Sequence, residues 1–189
     1  MASDQPNLFD IPPALPDGLR YADEVLSEGE ADRLVAAFRE LPFQPFDFHG
    51  FKGKRRVVSF GRRYDFSAAA LRDADALPAF LEPARRAAAD FAGLDPETIE
   101  HAMVTEYVPG AGIGWHRDRP EFGKVIGLSF VSPAVLRLRR REGDGWRRAS
   151  LPLAPRSAYL LDGSVREDWQ HSIAPGDRLR YSVTFRTLR

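Results

Sequence analysis

Four histidines, at positions 49, 101, 116 and 171, and not one cysteine set the limits on metal and nucleophile chemistry in this 189-residue chain. Without thiols, disulfide frameworks, zinc fingers, iron–sulfur clusters and thiolate catalysis are excluded. Any metal must be held by His and carboxylate. His116-Arg117-Asp118 follows the Pro109-Gly110 turn and Trp115. On an extended segment residues i and i+2 share a face, so His116 and Asp118 can reach one ion together. His171 lies 53 residues beyond Asp118. Two His and one carboxylate leave coordination positions open, as in non-haem Fe(II) sites that must also take a cosubstrate and dioxygen. Taken singly, these residues also fit plainer roles: a surface pair or cap for His116 and Asp118, a structural histidine for His171. His49 and His101 read as structural or surface residues.

A second pattern lies at the C-terminus. In Arg180-Tyr181-Ser182-Val183-Thr184-Phe185-Arg186, strand alternation puts Arg180, Ser182, Thr184 and Arg186 on one face and the apolar side chains on the other. Two guanidinium groups on one face suit a dicarboxylate, because Arg pairs with carboxylates bidentately and stays charged. An ordinary solvent-facing strand would carry the same pattern.

Taken in order, Tyr107-Val108-Pro109-Gly110, His116-x-Asp118, His171 and the Arg180–Arg186 ending resemble the AlkB family of Fe(II)- and 2-oxoglutarate-dependent dioxygenases. The resemblance is good over 105–186 and looser before it. It implies iron ligation by His116, Asp118 and His171. It implies that Arg180, helped by Tyr107, pairs with the distal carboxylate of 2-oxoglutarate, and that Arg186 lies near the iron-chelating carboxylate. Thr105 and Ser182 stand where many members carry Asn, and Pro120 where several nucleic-acid-repair members carry an acidic residue. The implied activity is oxidative dealkylation of nucleobases in DNA, with RNA or protein as alternative substrates. Dioxygen is consumed, and the alkyl carbon leaves as an aldehyde. The cofactor does the difficult chemistry; the protein orients the reactants and excludes water.

Substrate contacts are expected in 43–66. There Phe48, His49 and Tyr64, with further aromatics, interleave with Arg56 and other bases. Phosphates need cations and extruded bases need stacking partners. This stretch resembles the family's substrate lid. Trp115 and Arg119, beside the His-x-Asp pair, complete the candidate contacts. A second basic run, Arg137–Arg141 with Arg147-Arg148, suits either a further backbone contact or simple solubility.

The elements that must position these groups follow from periodicity. Ser27 and Glu30 form a capping-box pattern, Leu34, Ala37, Phe38 and Leu41 fall at helical spacing, and Pro42 stops the helix. A second helix is expected from Pro78 to Gly93. Short strands are expected at 57–60, 102–108, 125–131, 135–139, 146–153, 157–161 and 179–187. The expected fold is α+β with a mainly β core: a double-stranded β-helix, or jelly roll, with N-terminal helices packed outside. Residues 1–19 read as an extended leader and 20–189 as a single domain, with helices and lid over 20–100 and the jelly-roll core over 101–189.

Lys+Arg and Asp+Glu both number 27, which argues against a uniformly basic nucleic-acid coat protein. The balance is uneven, however. Residues 1–40 carry nine acids and three bases, whereas 52–63 carry six bases and no acid. No signal peptide or membrane span is evident, so a cytoplasmic monomer is expected. Gln5-Pro6-Asn7-Leu8-Phe9 resembles the peptides that bind the bacterial sliding clamp, although a plain disordered leader explains it as well. A non-catalytic nucleic-acid-binding jelly roll would have no need of the five residues His116, Asp118, His171, Arg180 and Arg186, and a structural β-sandwich would leave them unused.

Overall fold

Alternation along the last strand, β12 (Arg180–Leu188), sets the architecture. Tyr181, Val183 and Phe185 enter an apolar core while Arg180, Ser182, Thr184 and Arg186 face the other way, and all are buried. A strand buried on both faces must lie between two layers. A computed structural model, describing residues 15–48, 51–65, 70–73 and 76–189, shows both layers. The Gln5–Phe9 peptide and His49 lie outside the described residues.

The larger sheet has eight strands. Its order is β1 (Leu19–Ala22), β10 (Ala158–Leu161), β7 (Phe122–Phe130), β12, β5 (Ile99–Tyr107), β3 (Phe51–Asp65) and β2 (Gln44–Phe48), with β4 (Ala70–Asp73) paired to β3. The smaller has four, in the order β6 (Ile113–His116), β11 (Gln170–Ile173), β8 (Ala134–Glu142) and β9 (Gly145–Leu153). The two antiparallel sheets make the expected jelly roll. β1 and β3 belong to the large sheet, so the N-terminal half of the chain helps to build the core.

Helix α1 (Glu28–Arg39) starts at the expected capping box: the Ser27 hydroxyl accepts from the Glu30 N–H, and Glu30 accepts from the Ser27 N–H. It ends before Pro42, which cannot continue a helix. Helix α2 (Glu82–Ala92) begins later than Pro78. A 3-10 turn, Ala79–Leu81, intervenes, and Pro83 takes the first turn of the helix, where its missing N–H costs nothing. Gly93 closes α2 at φ 69°, a left-handed conformation that glycine adopts without strain.

Both helices cover the outer face of the large sheet. Phe38 of α1, fully buried, meets Phe130 edge-on at 5.2 Å and Tyr181 at 5.7 Å. Burying such a ring contributes about 2–3 kcal/mol. A second core fills the space between the sheets with Val125, Leu136, Leu138, Leu161 and Trp169. At Gly127 the Tyr159 ring lies so close that a Cβ would fall 2.3 Å from it. Among the described residues no helix is long and apolar enough to cross a membrane.

Candidate metal and anion site

The small sheet supplies the metal donors through pairing and alternation. His171 on β11 lies directly opposite His116 on β6, and on its other side opposite Leu138 of β8, which is fully buried between the sheets. All three side chains therefore point inward. Asp118, just past β6, turns to the same side. Donor atoms of His116, Asp118 and His171 all lie within 4.8 Å of one another. The two imidazole rings are 4.2 Å apart. The His116 Nδ1 lies 2.9 Å from the Gly114 carbonyl, which fixes the ring and leaves Nε2 as its free donor.

Protonation favours a metal here. Burial, then the neighbouring His116, pushes His171 down to about 3, so it is neutral. His116 is also lowered, chiefly by burial. Burial alone would raise Asp118, but the charge and hydrogen bond of Arg186 draw it well below the usual carboxylate range. Asp118 Oδ2 is buried without a hydrogen bond, 3.4 Å from His171 Nε2. A neutral imidazole beside an unpartnered carboxylate oxygen makes no ion pair, and a divalent cation would satisfy both. The donor set fits iron(II).

The large sheet presents the facing wall in registered rows. Tyr107 opposes Arg180, and Thr105 opposes Ser182, which on its other side opposes Ser129. His101 opposes Arg186. Arg186 donates to Asp118 Oδ1 and contacts His101 Nδ1 at 3.1 Å. Arg180 donates to Ser129 at 2.7 Å and lies 4.9 Å from the centroid of the Tyr107 ring. Its Nε and Nη1 are buried with no partner. An unsatisfied buried guanidinium is costly, and a carboxylate in its plane would remove that cost.

Sequence reading missed Arg55. It is buried and stacks on Phe46 at 3.8 Å, and Tyr107 and Asp118 favour its charge against the burial that lowers it. Arg56 points the other way, to a buried partner, with its Nε 2.7 Å from Glu106 Oε1. Strand alternation on β3 explains the swap. Val58 and Phe60 of β3 pack on the helix-side core, and Arg56 shares their face. Arg55 and Arg186 thus both act on Asp118, and Arg180 adds a third buried guanidinium to the same wall, a set that favours an anionic ligand.

The remaining candidates divide. Trp115 lies on the outer face of β6, because its neighbour His116 faces in; the guanidinium groups of Arg137 and Arg139 stand 5.2 and 4.4 Å from its ring. Arg119 is half-buried just past Asp118. Phe48 and Tyr64 belong to β2 and β3, the hairpin that brings Arg55 to the site.

A further residue absent from the sequence reading is Arg166, in the short helix α3 (Gly163–Glu167). Its guanidinium donates to the carbonyls of Asp118, Arg119, Phe122 and Gly123 at 2.5–3.3 Å. It pins the loop that carries Asp118.

Comparison with known proteins agrees with this geometry. A family model described as the 2OG-Fe(II) oxygenase superfamily matches residues 18–186. The mitochondrial alpha-ketoglutarate-dependent dioxygenase alkB homolog 7 of Mus musculus is 34% identical over 102 residues, covering 52% of this chain and 44% of that protein. The alkylated DNA repair protein ALKBH8 homolog of Arabidopsis thaliana is 27% identical over 147 residues, covering 64% and 42%. These matches span less than half the length of either relative. The solved structure of OsALKBH1 superposes with a TM-score of 0.66 at 15% identity, covering 92% of this chain and 98% of that one, a likeness of fold. With a jelly roll that brings two histidines and an aspartate together beneath paired arginines, the chain belongs to the 2OG-Fe(II) oxygenase superfamily and is homologous to its AlkB-type members.

Proposed function

We propose that this protein oxidatively dealkylates alkylated nucleobases in DNA, using iron(II), 2-oxoglutarate and dioxygen, and releases the alkyl carbon as an aldehyde. The observation that carries the reading is the unpartnered edge of Arg180, turned into the same interior as the unpartnered Oδ2 of Asp118. One is built for a carboxylate, the other for a cation.

In this reading His116, Asp118 and His171 hold the iron. When bound, iron couples decarboxylation of the cosubstrate to oxidation of a substrate carbon. Arg180, against Tyr107, binds the distal carboxylate, and Thr105 and Ser182 line the channel between. Arg186 orients Asp118 and keeps it ionised. The apolar core behind Leu138 excludes water. Nucleic acid as substrate is supported by the basic and aromatic β2–β3 hairpin beside the site and by the printed name of the Arabidopsis relative. Arg119, and from the sequence Phe48 and Tyr64, are the candidates to meet the extruded base.

The test is mass spectrometry of single- and double-stranded DNA and RNA carrying 1-methyladenine or 3-methylcytosine, with formaldehyde measured in parallel. Conversion of alkylated DNA by the protein, and none by His171→Ala, is the expected result. Turnover of 2-oxoglutarate with every alkylated nucleic acid left intact would overturn the substrate assignment.

A further inference from the structure

The outer face of the small sheet carries an alternating ladder of arginine and tryptophan. Arg137 and Arg139 of β8 reach across β11, where Ser172 and Gln170 accept from their Nε atoms at 3.1 and 2.8 Å, and both stand over Trp115 of β6. On its other side Arg139 lies 4.2 Å from the Trp146 ring of β9, and Arg141 lies 5.6 Å from that ring. The rings and guanidinium groups thus run across the sheet from one edge strand to the other.

Two features separate this face from an ordinary solvated surface. On this face Arg139 sits directly opposite Arg148. Like charges in register on neighbouring strands are destabilising. Among the described residues the hairpin has one ion pair, Arg140 to Glu142 at 3.8 Å, and no carboxylate lies within 4 Å of Arg137, Arg139, Arg141 or Arg148. Among the described residues, this face keeps that charge cost with no carboxylate paired to its arginines. The Trp146 ring is also 38% exposed, although burying it would be favourable.

We infer that this face is a docking surface for a single nucleic-acid strand, whose phosphates supply the missing counter-charge and whose bases stack on the tryptophans. Alternating cations and aromatic faces suit a polynucleotide, because each nucleotide brings one anion and one π-face. An acidic peptide would use the cations and leave the rings idle. The ladder also ends in a useful place. On edge strand β6, Trp115 faces out and the next residue, His116, faces in toward the metal donors. A strand lying on the ladder would pass the sheet edge beside the metal site. The inference rests on the nucleic-acid reading of the substrate and adds to it a second contact, remote from the reacting base.

The test is fluorescence anisotropy with an unmodified single strand of about 15 nucleotides, titrated at several salt concentrations. Arg139→Ala/Arg148→Ala is expected to bind roughly tenfold more weakly or worse, with a salt slope shallower by about 1.4. Arg139→Lys/Arg148→Lys should keep the slope, and Trp146→Ala should weaken binding without changing it. Dealkylation of an alkylated trinucleotide, too short to span the ladder, should be unchanged in the Ala double variant. Wild-type affinity and slope in that variant would overturn the ladder even with dealkylation intact. Equal binding of poly-glutamate would overturn its assignment to nucleic acid. Loss of strand binding in a protein that dealkylates nothing would leave the ladder standing and remove the substrate reading instead.

Discussion

Arg186 grips Asp118 by one oxygen: its Nε and Nη2 lie 2.8 and 2.7 Å from Oδ1, and Oδ2 is left toward the histidines. The guanidinium therefore selects which carboxylate oxygen is offered to a metal. Arg186→Gln should weaken Mn(II) binding, measured calorimetrically, by about 10–100-fold, as expected when the group orienting a ligand is lost.

Arg180 makes the separate prediction for the cosubstrate. Its unpartnered N–H groups should be satisfied by the distal carboxylate. In Arg180→Gln the Kd for 2-oxoglutarate should rise by about 10-fold or more, while Mn(II) affinity stays near wild type. A parallel loss of metal binding would show that Arg180 serves the metal centre.

Arg166 acts at longer reach. It satisfies four carbonyls of the segment from Asp118 to Gly123. Arg166→Ala should cost about 3 kcal/mol or more in urea unfolding, because buried acceptors lose their donor. Hydrogen exchange should rise first in that loop, and Arg166→Lys should recover only part of the loss, since a single ammonium cannot span four carbonyls.

His101 gives a pH dependence. Burial, then Arg186, holds its pKa down to about 3 against a usual 6.5. Arg186 donates to its Nδ1, so the ring is neutral with its proton on Nε2. The unfolded chain takes up this proton below pH 6.5, whereas the folded chain refuses it until about pH 3. Stability is therefore fully present above pH 6.5 and is lost as pH falls through that window. The slope from this group is at most about 1.4 kcal/mol per pH unit. Urea titrations of chelator-treated protein should show a shallower slope for His101→Gln than for wild type.

The metal donors were legible because type and spacing coincide: an i, i+2 pair on one short extended segment, and few histidines to choose from. The same alternation that turns His116 inward turns Trp115 outward, so its place on the outer face follows from the motif itself. Arg55 was hidden because Val57 and Val58 are both apolar, and the phase of β3 cannot be read across them. β1, β6 and β11 have four residues each, too few for a period to show. Arg166 answers carbonyls more than forty residues away, and nothing in its local sequence marks it. The first helix was legible down to its capping box, whereas the second starts late because three residues after Pro78 take the tighter 3-10 path.

β6 is a four-residue edge strand held to its neighbour through two registered pairs, His171 with His116 and Ile173 with Ile113. An ion shared by His116, Asp118 and His171 would rivet that strand to the sheet more firmly than its own ladder does. Loading with metal would then do more than equip the site. It would raise the melting temperature as metal concentration rises and hold this edge strand against local opening.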